Sequence, residues 1–367
     1  MRGQWLGEYR GSESGTAMLN IDAVEKHFEG VAYLKPQDNT RILSAVEFST
    51  RTQKSPQTVT ATVLPIDPRS GLPTQLEELR VVFGRDFEHP TKAKLKLAVK
   101  GATLRITADT NTKTTLKAVL KRARVSDRSK IEAITLNWRK FKVYISRRSN
   151  ANRLFRGQRE SWSLCTAFHR RGRFRLSTFI SQDVRQLHQR LSATTNHFFD
   201  LNVPDQNGAF FNLLQHHGYP TPLLDWSHSP YVAAFFALRN WPIGYSGSEK
   251  ARIYIFNSRA WGKHFPQFQI LDPPIPHLSV MEFMAIDNPR LVPQQSVTTV
   301  TNLNDIESFI LEKEAETGIR FLEAIDIPAS ERETAIRDLR TMGITAGAMF
   351  PSIDGICEEL REKNFDR

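Results

Sequence analysis

Arg156 lies in LFRGQRE between Phe155 and Gly157, and Asp225 lies in LLDWSHSP beside Leu223, Leu224 and Trp226. A guanidinium in a segment entering an apolar region suits either a buried phosphate contact or a structural ion pair. A carboxylate with apolar neighbours must be paired or catalytic. Asp225 therefore reads as a partner of Arg156, as a partner of the helix that follows it, or as a reacting group. Ser229 and Pro230 are the helix-start signals of an N-cap and a first-turn proline. YVAAFFAL (231–238) then predicts a helix that is apolar all round and hence buried. The free N–H groups at the start of such a helix attract phosphate or another anion. His216-His217 has no cysteine or carboxylate nearby at metal spacing, so no metal site is expected. The sequence has no GxxxxGK[ST], GxGxxG, GxSxG, HExxH or CxxC, which sets aside P-loop NTPases, Rossmann dehydrogenases, α/β-hydrolases and zincins.

The chain has 367 residues, enough for two or three domains, with a formal net charge of +11. Residues 85–190 hold 27 Lys/Arg against 7 Asp/Glu, whereas 301–367 hold 8 basic and 15 acidic residues. This asymmetry points to one face built for a polyanion, and nucleic acid is the expected partner. Arg147, Arg148, Arg171 and Arg173 are the candidate contacts. RNA is preferred to DNA because no duplex-reading motif is present. The longest apolar run, Tyr231–Leu238, is far short of a membrane span. The opening MRGQWLGEYRG has no apolar secretory stretch. Two cysteines, Cys165 and Cys357, suit buried thiols in a reducing compartment. A cytoplasmic protein without a membrane partner is expected.

These residues need elements to hold them. Residues 1–124 read as antiparallel β: VTATV (59–63), AKLKLAV (93–99) and TLRITA (103–108) alternate apolar and polar. KPQDN, DPRSG, KG and DTNT supply turns between strands. The pattern predicts a barrel or sandwich. The opening WLGEYRGSESG with LNID and EGVAYL resembles the first hairpin of avidin-like or lipocalin-like barrels. Residues 125–150 predict a basic linker and helix, with Trp138, Phe141 and Ile145 at helical spacing. Residues 151–367 alternate strands with helices, which gives α+β overall. In that stretch ARIYIF (251–256) and FLEAIDIP (321–328) read as strands. ASERETAIRDLRTMG (329–343) reads as a helix with Ser330 as N-cap and Glu333 closing a capping box.

Four islands, 154–170, 213–238, 288–299 and 322–356, occur in an order that resembles the FRG domain family, named for the motif that stands here as Phe155-Arg156-Gly157. The resemblance spans about 135–360. FRG proteins look like remote relatives of the ADP-ribosyltransferase fold and appear in bacterial toxin and phage-defence settings. The resemblance thus implies an enzyme that uses NAD as substrate, with an antitoxin protein as a possible partner. Carried over, Arg156 would hold the NAD phosphates, and Ser227 or Ser229 would support the nicotinamide ribose. Gln294 or Gln295 would stand where the family relatives place a catalytic Glu. The local sequence is VPQQSV, so the carboxylate role would fall to Asp225. Trp226 or Tyr231 would stack on nicotinamide, and Gln158 and Thr221 complete the cofactor-binding set. The expected reaction is ADP-ribosyl transfer to a nucleic acid. The alternatives are NAD hydrolysis, transfer to protein, or nucleic-acid binding without catalysis.

Overall fold

The structure, a computed structural model, describes residues 1–147, 152–239, 241 and 249–365. Its first part is a closed barrel of eight antiparallel strands. These are β1 (Gly3–Gly11), β2 (Gly15–Val24), β3 (His27–Pro36), β4 (Ser44–Ser49), β5 (Gln57–Pro65), β6 (Lys92–Lys100), β7 (Thr103–Thr110) and β8 (Thr115–Arg122). The alternation read in the sequence is the inside–outside alternation of the barrel wall. In β6, Ala93, Leu95 and Leu97 point inward and are buried, while Lys92, Lys94 and Lys96 are exposed. β8 closes onto β1 with Trp5 opposite Arg122 and Gly11 opposite Leu116. Closure removes the unpaired edges that an open sheet would expose.

The second part is built on a seven-stranded sheet of β9 (Ala133–Thr135), β10 (Leu154–Gln158), β11 (Leu223–Ser227), β12 (Lys250–Phe256), β13 (Leu278–Met281), β14 (Ser296–Thr301) and β15 (Leu322–Pro328). The strand order is β13-β14-β11-β10-β12-β15-β9, and the β15–β9 pair is parallel. Successive residues of β12 serve opposite faces. Ile253 and Ile255 pack with the helices Trp138–Ser146 and Pro230–Leu238. Tyr254 and Phe256 pack with Trp226, Trp261 and Phe321 on the other face. The architecture is α+β, with the β-barrel first, as the sequence predicts.

Gly157 explains how the central strand meets the buried helix. A Cβ there would stand 1.8 Å from the Ala233 carbonyl oxygen. Only a residue without a side chain lets β10 and the helix Pro230–Leu238 approach this closely.

The barrel is docked by polar contacts in chosen geometry. The Gln4 amide donates to the Asn302 carbonyl at 2.7 Å and its oxygen accepts from the Asn304 N–H at 2.9 Å. The Tyr33 hydroxyl donates to Asp272 at 2.6 Å, and Asp22 accepts the Phe174 N–H at 2.7 Å. Gln4 and Asn302 are fully buried.

One local expectation is corrected. The helix Arg332–Thr341 follows a short 3-10 turn over Ala329–Glu331, so Glu331, not Ser330, is its N-cap, and no side chain caps it. Glu331 instead accepts the Trp138 N–H at 3.0 Å, which ties two helices together. No helix among the described residues is long and apolar enough to cross a membrane.

Candidate functional site

A cleft of about 1160 Å³ opens where β10, β11 and the helix Pro230–Leu238 meet the barrel junction. Phe155–Arg159 and Asp225–Ser227 form its floor. Ala233, Phe236 and Arg239 form one wall. Arg290, Gln294 and Phe350 also line it, and Val125–Asp127 and Asn304 bound the barrel side. The Asn304 amide donates to the Ala123 carbonyl at 2.9 Å, so barrel docking fixes that boundary.

Five arginines line the cleft: Arg156, Arg159, Arg170, Arg239 and Arg290. Arg156 donates from Nη1 to the Asp225 main-chain carbonyl at 2.7 Å. That bond orients the guanidinium but leaves its charge unmatched, because no ion pair within 4 Å joins it to a described carboxylate. Burial pulls the Arg156 pKa below the usual arginine range, and Asp225 opposes this. Arg170 donates to the Cys165 carbonyl at 2.9 Å, and Arg159 lies 5.6 Å from the Trp162 ring centre. Arg239 donates from Nη2 to both Glu358 carboxylate oxygens, at 2.5 and 2.7 Å. The Arg239 and Arg290 guanidiniums both pack near Phe350, 4.2 and 5.0 Å from its ring centre.

Asp225 is exposed into the cleft, while Leu224 and Trp226 on either side are buried in the sheet's other face. Strand alternation separates the carboxylate from the apolar residues beside it in sequence. Protein surrounds the cleft floor on most sides, and this desolvation pushes the Asp225 carboxyl above the usual range. Arg156 and a hydrogen bond from Gln215 pull it back. Thr221 in turn donates to the Gln215 side-chain oxygen.

Four polar atoms on cleft residues are buried with no hydrogen-bond partner: Arg156 Nε, Ser163 Oγ, His169 Nε2 and Arg239 Nε. Six more such atoms among the described residues, Tyr9 Oη and Asp272 Oδ1 among them, lie elsewhere in the fold, so these four do not by themselves single out the cleft. His169 is held through Nδ1 by the Thr166 hydroxyl at 2.7 Å, and burial lowers its pKa to about 3. The ring is neutral at physiological pH.

The candidate residues divide on this geometry. Arg156, Gln158, Asp225, Ser227 and Gln294 line the cleft. The Ser227 hydroxyl donates to the Gln294 carbonyl at 2.7 Å and accepts the Ser229 N–H at 3.0 Å. Gln294 donates to the Met349 carbonyl at 2.9 Å.

Other residues lie elsewhere. Trp226 borders the cleft through the floor strand, but its indole is buried in the core and donates to Thr299 at 3.0 Å, so it offers no ring face to nicotinamide. Tyr231 packs edge-on to Trp138 and Phe141 on the helix layer. Thr221 is fully buried behind Gln215 and acts as a positioning residue. Ser229 caps its helix by accepting the Val232 N–H, and the Ala233 N–H bonds to the Ser229 carbonyl. The flank of that helix, not its start, faces the cleft, and the arginines supply the positive field. Gln295 has a φ of 46° in an exposed turn, where its carbonyl accepts the His228 N–H. Arg147 and Arg171 are exposed away from the cleft. Arg173 is neutralised by Asp183 and Asp22 at the barrel junction, which removes it from a free basic face. Arg148 lies outside the described residues.

Sequence reading missed Arg159, Arg170, Arg239, Arg290, Ser163, His169 and Phe350. Arg159 and Arg170 lie in the first island, and Arg290 in the third. Their presence in islands of unusual composition was the available signal, but no local pattern says which side chains converge.

The fold and cleft define a closed β-barrel joined to an α+β domain with an arginine-lined cleft at the junction. The model of the FRG domain family matches residues 151–242, and this part of the chain is an FRG domain. The matched stretch carries Arg156, Ser163, His169, Asp225 and Arg239 of the cleft. No curated protein matches the chain. Among solved structures, a de novo designed fluorescence-activating β-barrel is 8% identical at a TM-score of 0.23, covering 34% of this chain and 94% of its own. A redesigned β-barrel is 13% identical at a TM-score of 0.23, covering 34% of this chain and 91% of its own.

Proposed function

We propose that the cleft binds NAD and that the protein transfers the ADP-ribosyl group to a nucleic acid, RNA in preference to DNA. The observation that carries the reading is the convergence of five arginines and the exposed Asp225 on one cleft. A pyrophosphate satisfies the arginines: its oxygens accept from guanidinium N–H groups in fork geometry. The volume of about 1160 Å³ is ample for a dinucleotide.

In this reading the bond between nicotinamide nitrogen and ribose C1′ breaks, and its electron pair leaves with nicotinamide. The acceptor's nucleophile forms the new bond to C1′ and gives up its proton. Positive charge gathers on the ribose as the bond lengthens. The Asp225 carboxylate, oriented by Gln215 and free of an ion pair, is the negative group placed to stabilise it. Gln294 is uncharged and already bonded to Met349, so it shapes the cleft and does not substitute for a carboxylate.

Incubating the protein with NAD carrying a label in the adenosine half tests this, alone and with RNA, DNA or protein. Free nicotinamide together with labelled RNA is the expected result. Nicotinamide without an acceptor means hydrolysis, and labelled protein means a different acceptor. No NAD binding and no turnover overturns the reading.

A further inference from the structure

The outer wall of the barrel carries a second basic surface that the cleft does not use. β6 to β8 expose seven cations, including Lys94, Lys96, Arg105, Lys117 and Lys121, against a single acid, Asp109. None of the seven makes an ion pair within 4 Å among the described residues. Lys94 and Lys96 are two residues apart on one strand, hence about 7 Å apart, and neighbouring strands add rows about 5 Å away. Like charges packed this densely give the wall a positive field that attracts a polyanion.

The register places a threonine beside almost every lysine. Lys96 stands opposite Thr58 on one side and Thr107 on the other. Lys94 stands opposite Thr60 on one side and Asp109 on the other, Lys117 opposite Thr107, and Lys121 opposite Thr103. A lysine meets a phosphate, and a hydroxyl that both donates and accepts meets a ribose 2′-hydroxyl, the group that separates RNA from DNA. Val119 is the one large apolar side chain exposed on these three strands, too little for the apolar centre of a protein interface. The helix that joins β5 to β6, Leu76–Phe83, carries Glu77 and Glu78 against Arg80 and so is not a basic element built for a duplex groove.

β8 also points at the cleft. Lys121 and Arg122 end the strand, and Val125–Asp127, four residues on, form the cleft's edge. Arg122 stacks 5.1 Å from the Trp5 ring centre, and Arg2 and Arg124 press on its charge. Positive charge therefore continues from the wall to the cleft mouth.

We infer that the Lys/Thr lattice on β5 to β8 is a docking surface for single-stranded RNA, read through its sugar–phosphate backbone and not its sequence. This deepens the acceptor half of the function proposed above and rests on it for the RNA's role. The binding itself requires no NAD.

The test uses the full chain with Lys94, Lys96, Lys117 and Lys121 all changed to Glu, and a second variant with all four changed to Gln. Both keep exposed positions polar, and melting curves confirm the fold. Binding of a fluorescein-labelled, mixed-sequence single-stranded RNA is followed by anisotropy without NAD at 50 and 200 mM salt. Losing four phosphate contacts lowers the salt slope by about 3 and removes about 50-fold of the affinity lost by the unaltered protein over that range. Both variants should bind more than tenfold more weakly at low salt, while their NAD affinity is unchanged. Unchanged RNA affinity or slope overturns the surface. Equal affinity for DNA of the same sequence, or for polyglutamate, overturns the assignment to RNA. Loss of NAD binding in an Arg156→Ala variant that still binds RNA keeps the two proposals apart.

Discussion

Arg156 and Asp225 are adjacent, but the bond between them runs to a main-chain oxygen, and this sets what their substitutions should do. In Arg156→Ala the 2.7 Å bond from Nη1 to the Asp225 carbonyl is lost. A hydrogen bond with a charged donor contributes about 1.5–3 kcal/mol, so the variant should lose about that much stability. Asp225→Asn leaves the carbonyl in place and keeps an acceptor for Gln215. It breaks no ion pair, so it should shift stability by about 1 kcal/mol or less. A salt-bridged buried pair would instead cost about 3–5 kcal/mol when either partner is removed. The two variants should also part in function. Arg156→Ala loses a phosphate contact of about 2 kcal/mol, which is roughly 30-fold in NAD affinity. Asp225→Asn should bind NAD normally and release nicotinamide about 100- to 1000-fold more slowly, since its charge is needed only as the ribose becomes positive. Denaturant titration, calorimetric NAD binding and nicotinamide release measure the three quantities. Normal turnover in Asp225→Asn, or a stability loss above about 3 kcal/mol in that variant, would refute the assignment.

Gly157→Ala puts a Cβ against the Ala233 carbonyl, so strand and helix must separate, at a cost of about 1–3 kcal/mol or more read as a lowered melting temperature. Phe350→Ala should weaken NAD binding without unfolding the chain, because Arg239 and Arg290 lose the ring that both guanidiniums pack near; isothermal titration decides it. Stability should fall as pH drops from about 6.5 towards 4. Burial holds His277 near pKa 4 in the folded protein against 6.5 unfolded, so acid favours the unfolded chain, and His277→Gln should flatten this limb of a pH–stability profile. Asp272 works in the opposite sense. Its folded pKa of about 6 exceeds its unfolded value, so its contribution is full below about pH 4 and is lost as pH rises through 6. Asp272→Asn should therefore remove a destabilisation seen at neutral pH. An isolated 1–124 fragment should fold, since its eight strands close on themselves, and circular dichroism would show strand structure.

The sequence by itself determined the elements. Period-two alternation in AKLKLAV is enough to build a half-buried strand, because burial of every second side chain is a local pattern. Ser229-Pro230 before YVAAFFAL set the start of the buried helix for the same reason, and the islands from 154 onward carried the FRG resemblance. What local pattern does not contain is which side of an element faces the cleft. Trp226 and Asp225 are neighbours in sequence, yet the pleat sends one into the core and the other into the cleft. Only the pairing of β11 between β10 and β14 decided which went where. Likewise Arg159, Arg239, Arg290 and Phe350 are spread over almost 200 residues, and no spacing rule joins them. Strand order and barrel docking brought them together, and the same register put each lysine of the outer wall beside a threonine.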